Sequence, residues 1–176
     1  DELYAFLKQL QPNLIINNRV GKGRQGMAGT TRQSEHNPGD YDTPEQRVGG
    51  FNRDRPWETC MTMNNTWGWK HYDHAWKSTT VLLRNLIDIA SKGGNFLLNV
   101  GPTAEGEIPA ASVERLEAVG RWMDVHGEAI YGTRGGPYRN GSWGGSCHKG
   151  NKLYLHVYEW PQHGPLELDP LPRTVL

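Results

Sequence analysis

The sequence predicts an α/β protein that consists of part of a (β/α)8-like barrel followed by the beginning of an antiparallel β-sandwich. The run Gly93–Pro109 is typical of a short apolar strand that ends in polar residues, turns and leads into a helix. Polar residues also end two upstream strand patterns, at Asn17–Arg19 and at Trp57–Thr59. Strands of this kind are the repeating unit of a parallel α/β barrel, in which the chemistry lies at the strand ends. Near the end of the chain, Leu153–Val157 alternates apolar and polar residues, which is typical of an antiparallel strand.

Length and charge narrow the possibilities further. The chain has 176 residues and a formal net charge of zero. It is too short for a complete (β/α)8 barrel, which needs roughly 200 residues or more. The absence of a basic excess argues against nucleic acid as a partner, and no apolar run approaches the ~20 residues of a membrane helix. The chain begins inside a helical pattern and ends without a stopping element, so we expect it to be a fragment.

The first quarter of the chain predicts a helix, a strand and a long loop. Apolar residues at helical spacing indicate a helix over Asp1–Leu10, which Pro12 ends. The wholly apolar run Leu14–Ile16 predicts a strand that is buried on both faces. A loop rich in Gly, Arg, Asn and Pro then extends from Arg19 to about Pro56. Loops of that length in a compact domain are usually functional or disordered.

The middle of the chain predicts a second strand, a helix, a third strand and a second long helix. Trp57–Met63 is the second strand, and Ser78 can cap a helix that is apolar nearly all round and ends at Gly93. The strand Asn95–Val100 follows, and Pro109 starts the last helix. Four apolar residues share one face of this helix: Val113, Leu116, Val119 and Met123.

The pattern changes after Gly132, where Gly-rich turns and a period of two replace the helical spacing. We therefore divide the chain into a barrel part, residues 1–132, and the start of a β-sandwich domain, residues 133–176.

Two glutamates are the leading candidates for chemistry. Glycosidases need two carboxyl groups on either side of the bond that breaks, and a barrel supplies them from different strand ends. Glu45 lies in a loop with Gly and Pro, from which it could reach over a substrate; the alternative is a solvated loop residue. Glu58 lies within a strand pattern, where a carboxylate either serves a site or forms a buried ion pair.

Arg19 and Trp67 are candidates for substrate binding. Arg19 follows a strand and could hold a carboxylate or a sugar hydroxyl through its donors, or it could simply be a surface residue. Trp67 could lie against a sugar ring or fill the core. His71 and His74 have the spacing of a metal-binding pair, but no third ligand follows, so we expect both to face solvent.

Several runs, taken together, resemble the α-L-fucosidase family of retaining glycoside hydrolases. They cover nearly the whole chain in order: Ile15–Arg19, Gly39–Glu45, Trp57–Gly68, Gly93–Pro102 and Gly127–Gly132. The resemblance implies a (β/α)8-like catalytic domain followed by a C-terminal β-sandwich, with this chain as the second half of the barrel and the first strands of the sandwich.

The resemblance also implies site roles. The Gly39–Glu45 motif places the acid/base at Glu45, with Glu58 as the alternative acid/base or a pocket carboxylate. Arg19 matches an arginine that reaches the nucleophile and the sugar, and Trp67 matches an aromatic wall at the fucose methyl. The nucleophilic aspartate of the family belongs to a motif that this chain does not contain, so no residue here is assigned to that role. Neither a metal nor an organic cofactor is implied.

The expected partner is a fucosylated oligosaccharide or glycoconjugate, and an extracytoplasmic location (secreted, periplasmic or lysosomal) follows from the family. A homo-oligomer is an open possibility. The alternative function is that of a truncated product that binds fucosylated glycans without cleaving them.

Overall fold

The computed structural model describes residues 2–20, 38–52 and 54–171. The described residues of the α/β part form three α-helices: α1 at Glu2–Leu10, α2 at Thr79–Ser91 and α3 at Ala110–His126. The predicted loop residues 21–37 lie outside the described part.

Two parallel strands form the regular part of the first sheet. Strand β1 spans Glu58–Thr62 and strand β2 spans Asn95–Asn99, in a register that pairs Glu58 with Asn95 and Thr62 with Asn99. Helix α2 connects them, so the predicted β-α-β order is confirmed. Parallel neighbours need such a crossover because a tight turn cannot reverse the chain direction twice.

The predicted strand Leu14–Ile16 is wrong as a regular strand. Ile15 is largely exposed, and the sheet pairing begins one step later with a parallel bridge between Asn17 and Tyr41. The segment expected to be only a loop extends the sheet instead. Its residues Asp42 and Glu45 form parallel bridges with Trp57 and Cys60 of the β1 region.

The segment 40–46 was missed because its sequence has no strand pattern. It carries two aspartates, a glutamate and a proline, which are depleted in strands. It lies between the Asn17 region and β1 through backbone hydrogen bonds on both sides, such as Asn18 N to Tyr41 O (2.9 Å) and Glu58 N to Asp42 O (2.9 Å). Tertiary pairing therefore outweighs the local preference of this segment.

Helix α2 is the packing centre of the described chain. The Ser78 hydroxyl accepts from Val81 N and caps the helix, as predicted. The helix itself contributes Leu82, Ile87 and Ile89 to the buried core. The chain leaves through Gly93 and Gly94, and a Cβ at Gly94 would overlap the buried indole of Trp57. Only glycine permits this close approach.

The helix predicted after Pro109 is confirmed as α3. Of the four apolar residues on its shared face, Val113 and Leu116 are exposed, and Val119 and Met123 are half-buried. Arg115 lies on the same helix; its Nε donates to Lys77 O (2.7 Å), and its guanidinium lies 5.9 Å from the ring centre of Trp76. Arg115 thus links α3 to the segment that precedes α2.

A three-stranded antiparallel sheet follows, in the order β3 (Arg134–Gly135), β4 (Gly144–Lys149) and β5 (Lys152–Val157). It packs on the end of α2, where Ser91 and Cys147 are both buried and their side chains lie 3.7 Å apart. The alternating pattern at the end of the chain therefore correctly predicts an antiparallel strand. Within the described ranges, no helix is long and apolar enough to cross a bilayer.

Candidate active site

The parallel strands and the segment 40–46 form one side of a cleft of about 540 Å³. Three of the four predicted site residues line it: Arg19, Glu58 and Trp67. Glu45 does not line the cleft itself but contacts Arg19 at its edge. The fold therefore brings together residues that are up to 48 positions apart in the sequence, from Arg19 to Trp67.

Arg19 and Glu45 form an ion pair. The Nη2 atom of Arg19 lies 3.2 Å from Oε2 of Glu45, and the Glu45 side chain is only 9% exposed against 33% for Arg19. No bond to the second oxygen of Glu45, Oε1, is found among the described residues. Among the residues that the structure describes, the carboxylate is thus held through Oε2 alone.

The two candidate glutamates lie at different heights along the sheet. Glu45 forms its bridge with Cys60, two residues beyond Glu58 in the direction of β1. At about 3.3 Å per residue, Glu45 is therefore about 6–7 Å nearer the carboxyl edge, measured along the strand. That edge is where α/β barrels place their chemistry. Glu58 begins β1 and lies deeper in the cleft.

Glu58 has a side chain without a hydrogen bond or ion pair to any other described residue. It lines the cleft and is half-buried. This is consistent with a site carboxylate, one of the two alternatives that the sequence left open; no ion pair of Glu58 is found across residues 2–20, 38–52 and 54–171.

Trp67 lies at the carboxyl edge beside the end of β2. The side-chain amide of Asn99 donates to the Trp67 carbonyl (2.7 Å), and a Cβ at Gly101 would lie 2.9 Å from that same oxygen. The indole is partly exposed and faces the cleft rather than a packed core. Buried Asp73 fixes the same turn by accepting from Asn65 N (3.0 Å) and from the Thr66 hydroxyl (3.1 Å).

Cys60 is half-buried in the cleft and is not part of a disulfide. Arg19 Nη2 lies 3.7 Å from its sulfur. Burial raises the pKa of the Cys60 thiol, and the charge of Glu45 raises it further, whereas Arg19 acts in the opposite direction. The group is therefore a protonated thiol at neutral pH and not a thiolate nucleophile.

Sequence reasoning missed the residues that support Arg19. Its Nε donates to the Thr43 hydroxyl (3.1 Å), which in turn donates to Oδ1 of Asn18 (2.7 Å). Asn18 and Thr43 are both buried. Asn18 and Thr43 lie in the same two motifs as Arg19 and Glu45, but only the charged residues of those motifs suggested chemistry.

Gln46, directly after Glu45, is a second residue that the sequence did not reveal. Its φ of +55° makes it a left-handed non-glycine residue. Its backbone N donates to Cys60 O (2.9 Å), and its side-chain amide donates to the Thr62 hydroxyl (3.0 Å). Strained residues that surrounding contacts hold in place are frequent at active sites. Here the two hydrogen bonds of Gln46 hold the backbone next to Glu45.

His71 and His74 are exposed, as predicted. Across residues 2–20, 38–52 and 54–171, no group of three His, Cys, Asp or Glu side chains is placed to hold a metal ion.

A family model described as Alpha-L-fucosidase matches residues 1–128 of the chain. The chain belongs to the α-L-fucosidase family. Tissue alpha-L-fucosidase of Homo sapiens is 31% identical over 171 residues, which is 91% of this chain and 34% of that protein. Alpha-L-fucosidase of Dictyostelium discoideum is 36% identical over 121 residues, covering 65% of this chain and 26% of that protein. The chain therefore spans about a third or less of these relatives.

Solved structures of fucosidases share its fold. Alpha-L-fucosidase isoenzyme 1 from Paenibacillus thiaminolyticus is 40% identical with a TM-score of 0.74, covering 89% of this chain and 37% of that chain. A fucosidase from Bacteroides thetaiotaomicron is 26% identical with a TM-score of 0.75, covering 92% and 39%. That structure is a covalent intermediate trapped with 2-fluoro-fucosyl fluoride in a glutamate-to-glutamine variant.

Proposed function

We propose that this chain is part of a retaining α-L-fucosidase, as the second half of a (β/α)8-like barrel up to residue 132 and the start of a β-sandwich domain from residue 133. The single observation that carries the proposal is the Arg19–Glu45 ion pair at the carboxyl edge, beside a cleft that Trp67 and Glu58 line. The substrate is a terminal α-L-fucosyl linkage of an oligosaccharide or glycoconjugate.

Glu45 is the acid/base in this proposal. Its position near the carboxyl edge supports this role over Glu58. A further support is that no described residue binds its Oε1, which leaves that oxygen available to a leaving group. In the first step Glu45 donates a proton to the glycosidic oxygen while a carboxylate from outside this chain attacks the anomeric carbon. In the second step Glu45, now ionised, removes a proton from water; the water oxygen attacks the anomeric carbon, the bond to the nucleophilic carboxylate breaks, and fucose is released. Retaining geometry needs the two carboxyl groups about 5–5.5 Å apart.

The other residues bind and orient the sugar. Arg19 keeps Glu45 in place and presents its remaining donors to the cleft, where a sugar hydroxyl could accept. The exposed part of the Trp67 indole offers an apolar surface for the methyl group of fucose. Glu58, which has no partner within the described part of the chain, can accept hydrogen bonds from sugar hydroxyls lower in the cleft.

The test compares Glu45→Gln with Glu58→Gln in the complete chain, on two substrates that differ in leaving group. An activated aryl fucoside needs little protonation, whereas an unactivated fucosyl disaccharide needs it fully. We expect Glu45→Gln to lower kcat for the disaccharide by on the order of 10²–10⁴ and for the aryl fucoside far less. Glu58→Gln should affect both substrates alike. A leaving-group-dependent loss in Glu58→Gln instead would transfer the acid/base role to Glu58.

A second candidate is a product that binds fucosylated glycans without cleaving them. The observation that favours it is that none of the residues of this sequence matches the nucleophilic aspartate that the family resemblance implies, and a double displacement needs that group. Fucose binding by calorimetry, together with no fucose release from either substrate, would support this candidate.

We also propose an extracytoplasmic location. Its support is that similar proteins include Plasma alpha-L-fucosidase of Homo sapiens, which is 35% identical over 128 residues.

A further inference from the structure

The position of Glu45 depends on Arg19, and Arg19 has a long side chain that is a third exposed. Such a side chain samples many rotamers unless several of its donors are held. One donor is held by Glu45 itself. The second, Nε, is held by the hydroxyl of Thr43 (3.1 Å).

The hydrogen bonds around Thr43 can run in only one direction. A hydroxyl has a single hydrogen, and an arginine Nε can only donate. Thr43 Oγ1 therefore accepts from Arg19 and gives its hydrogen to Asn18 Oδ1, at 2.7 Å. This also fixes the amide of Asn18, so that its Nδ2 points the other way and donates to Asp42 Oδ1 (3.2 Å).

The chain of bonds ends on a rigid anchor. Asp42 is 1% exposed, and its Oδ1 also accepts from Arg55 Nε at 2.9 Å. Arg55 in turn donates through Nη2 to the carbonyl of Gly39 (3.1 Å). Asp42 and Thr43 belong to the same segment 40–46 that carries Glu45. A displacement of Asp42 would therefore displace Thr43 and Glu45.

We propose that Thr43 and Asn18 are positioning residues for the acid/base. They transmit the fixed orientation of the Asp42–Arg55 pair to the guanidinium of Arg19, which then holds one oxygen of Glu45 and leaves the other free toward the leaving group. This inference rests on the proposed function. Neither residue needs to contact the substrate.

The test removes the Thr43 hydroxyl without changing the shape of the side chain. Thr43→Val deletes both bonds, and Thr43→Ser, the matched control, keeps them. In the complete chain we expect Thr43→Val to lower kcat for an unactivated fucosyl disaccharide about tenfold, the factor that one net hydrogen bond is worth. The kcat for an activated aryl fucoside should change by less than about twofold, and Thr43→Ser should stay within about threefold on both substrates.

A double-mutant cycle that combines Thr43→Val with Glu45→Gln shows whether the loss of kcat acts through Glu45. In that background Thr43→Val should have no further effect on the disaccharide, because no proton is left to position. If Thr43→Val fails to fold, Asn18→Ala is the second variant, and it should show the same selective loss with a smaller amplitude.

The outcomes separate this inference from the proposed function. If the complete wild-type protein released no fucose from either substrate, the proposed function would be refuted. An active wild type in which Thr43→Val lowers kcat equally on both substrates, or equally in the Glu45→Gln background, would refute the positioning role alone. An unchanged kcat in a folded Thr43→Val variant would also refute it.

Discussion

The buried pair of Asp42 and Arg55 provides the sharpest test of how segment 40–46 is held. Asp42 accepts from Arg55 Nε (2.9 Å) and from Asn18 Nδ2 (3.2 Å) through one oxygen, Oδ1. Asp42→Ala removes this acceptor, so that Arg55 Nε and Asn18 Nδ2 both lose their hydrogen bond to Oδ1. We expect a loss of stability that greatly exceeds that of an aspartate on the surface.

The magnitude follows from burial. Removing one partner of a buried pair costs about 3–5 kcal/mol, whereas exposed pairs contribute about 0–1 kcal/mol. The side chain of Asp42 is 1% exposed but that of Arg55 is 22% exposed, so water can solvate part of the guanidinium that is left behind. We therefore expect about 3 kcal/mol for Asp42→Ala. Asp42→Asn, which keeps a carbonyl oxygen, should lose about half of that because neutral acceptors form weaker bonds.

Thermal unfolding of the complete chain measures the effect, with Asp40→Ala as the control from the same segment. Asp40 pairs with Lys8 at 3.0 Å and also accepts from the Tyr4 hydroxyl and Ile16 N, but both members of the ion pair are slightly more than a quarter exposed, so water can replace part of what is lost. The expected order of melting temperatures is wild type, Asp40→Ala, Asp42→Asn and Asp42→Ala, from highest to lowest. If Asp42→Ala melted at or above Asp40→Ala, the pair would not anchor the segment and the reasoning would be wrong.

Two further predictions concern pH and packing. The Tyr4 hydroxyl, the Ile16 backbone N–H and Lys8 all bind Asp40 and lower its pKa to about 2. Because the pKa in the folded state lies below the ordinary value of 3.8, this stabilisation is present above about pH 4 and is lost as the pH falls toward about 2. In acid-unfolding curves, the difference in stability between wild type and Asp40→Asn should therefore shrink between these two pH values. Gly94→Ala should lower the free energy of unfolding by about 1–3 kcal/mol in denaturant titrations, since the new Cβ overlaps the Trp57 indole. Gly120→Ala in helix α3 is its control and should stabilise by about 0.5–1 kcal/mol, because nothing lies within 4 Å of the new Cβ. Equal effects of the two glycine substitutions would contradict the close approach at Gly94.

The regular elements were predictable because their signals are local. Ser78 and Gly93 mark the ends of α2, and the apolar strand before Asn99 needs no partner to be recognised. The segment 40–46 was not predictable by the same means. Its pairing depends on neighbours on both sides, and its composition opposes a strand.

The candidate site was predictable in its charged residues and not in their support. Arg19, Glu45 and Glu58 could be named because the motifs of the family resemblance contain them; the residue pattern alone left each an alternative outside a site. Thr43 and Asn18 are ordinary polar residues, and nothing in a single sequence tells which hydroxyl will meet which arginine. For α3 the apolar spacing predicted the helix but not the hydrogen bond from Arg115 Nε to Lys77 O.

The contact between the antiparallel sheet and α2 affects how the chain can be divided. Gly136 N donates to the carbonyl of Ser91 at the end of the helix (3.2 Å), and the Asn140 amide donates to Asp88 Oδ1 (2.6 Å). A Cβ at Gly145 would overlap the side chain of Ser91. A chimera joined at residue 132 would therefore replace the surface on which the last turn of α2 rests, although the join itself lies in a glycine-rich turn. Recombination between relatives should succeed only when α2 and the sheet come from the same parent.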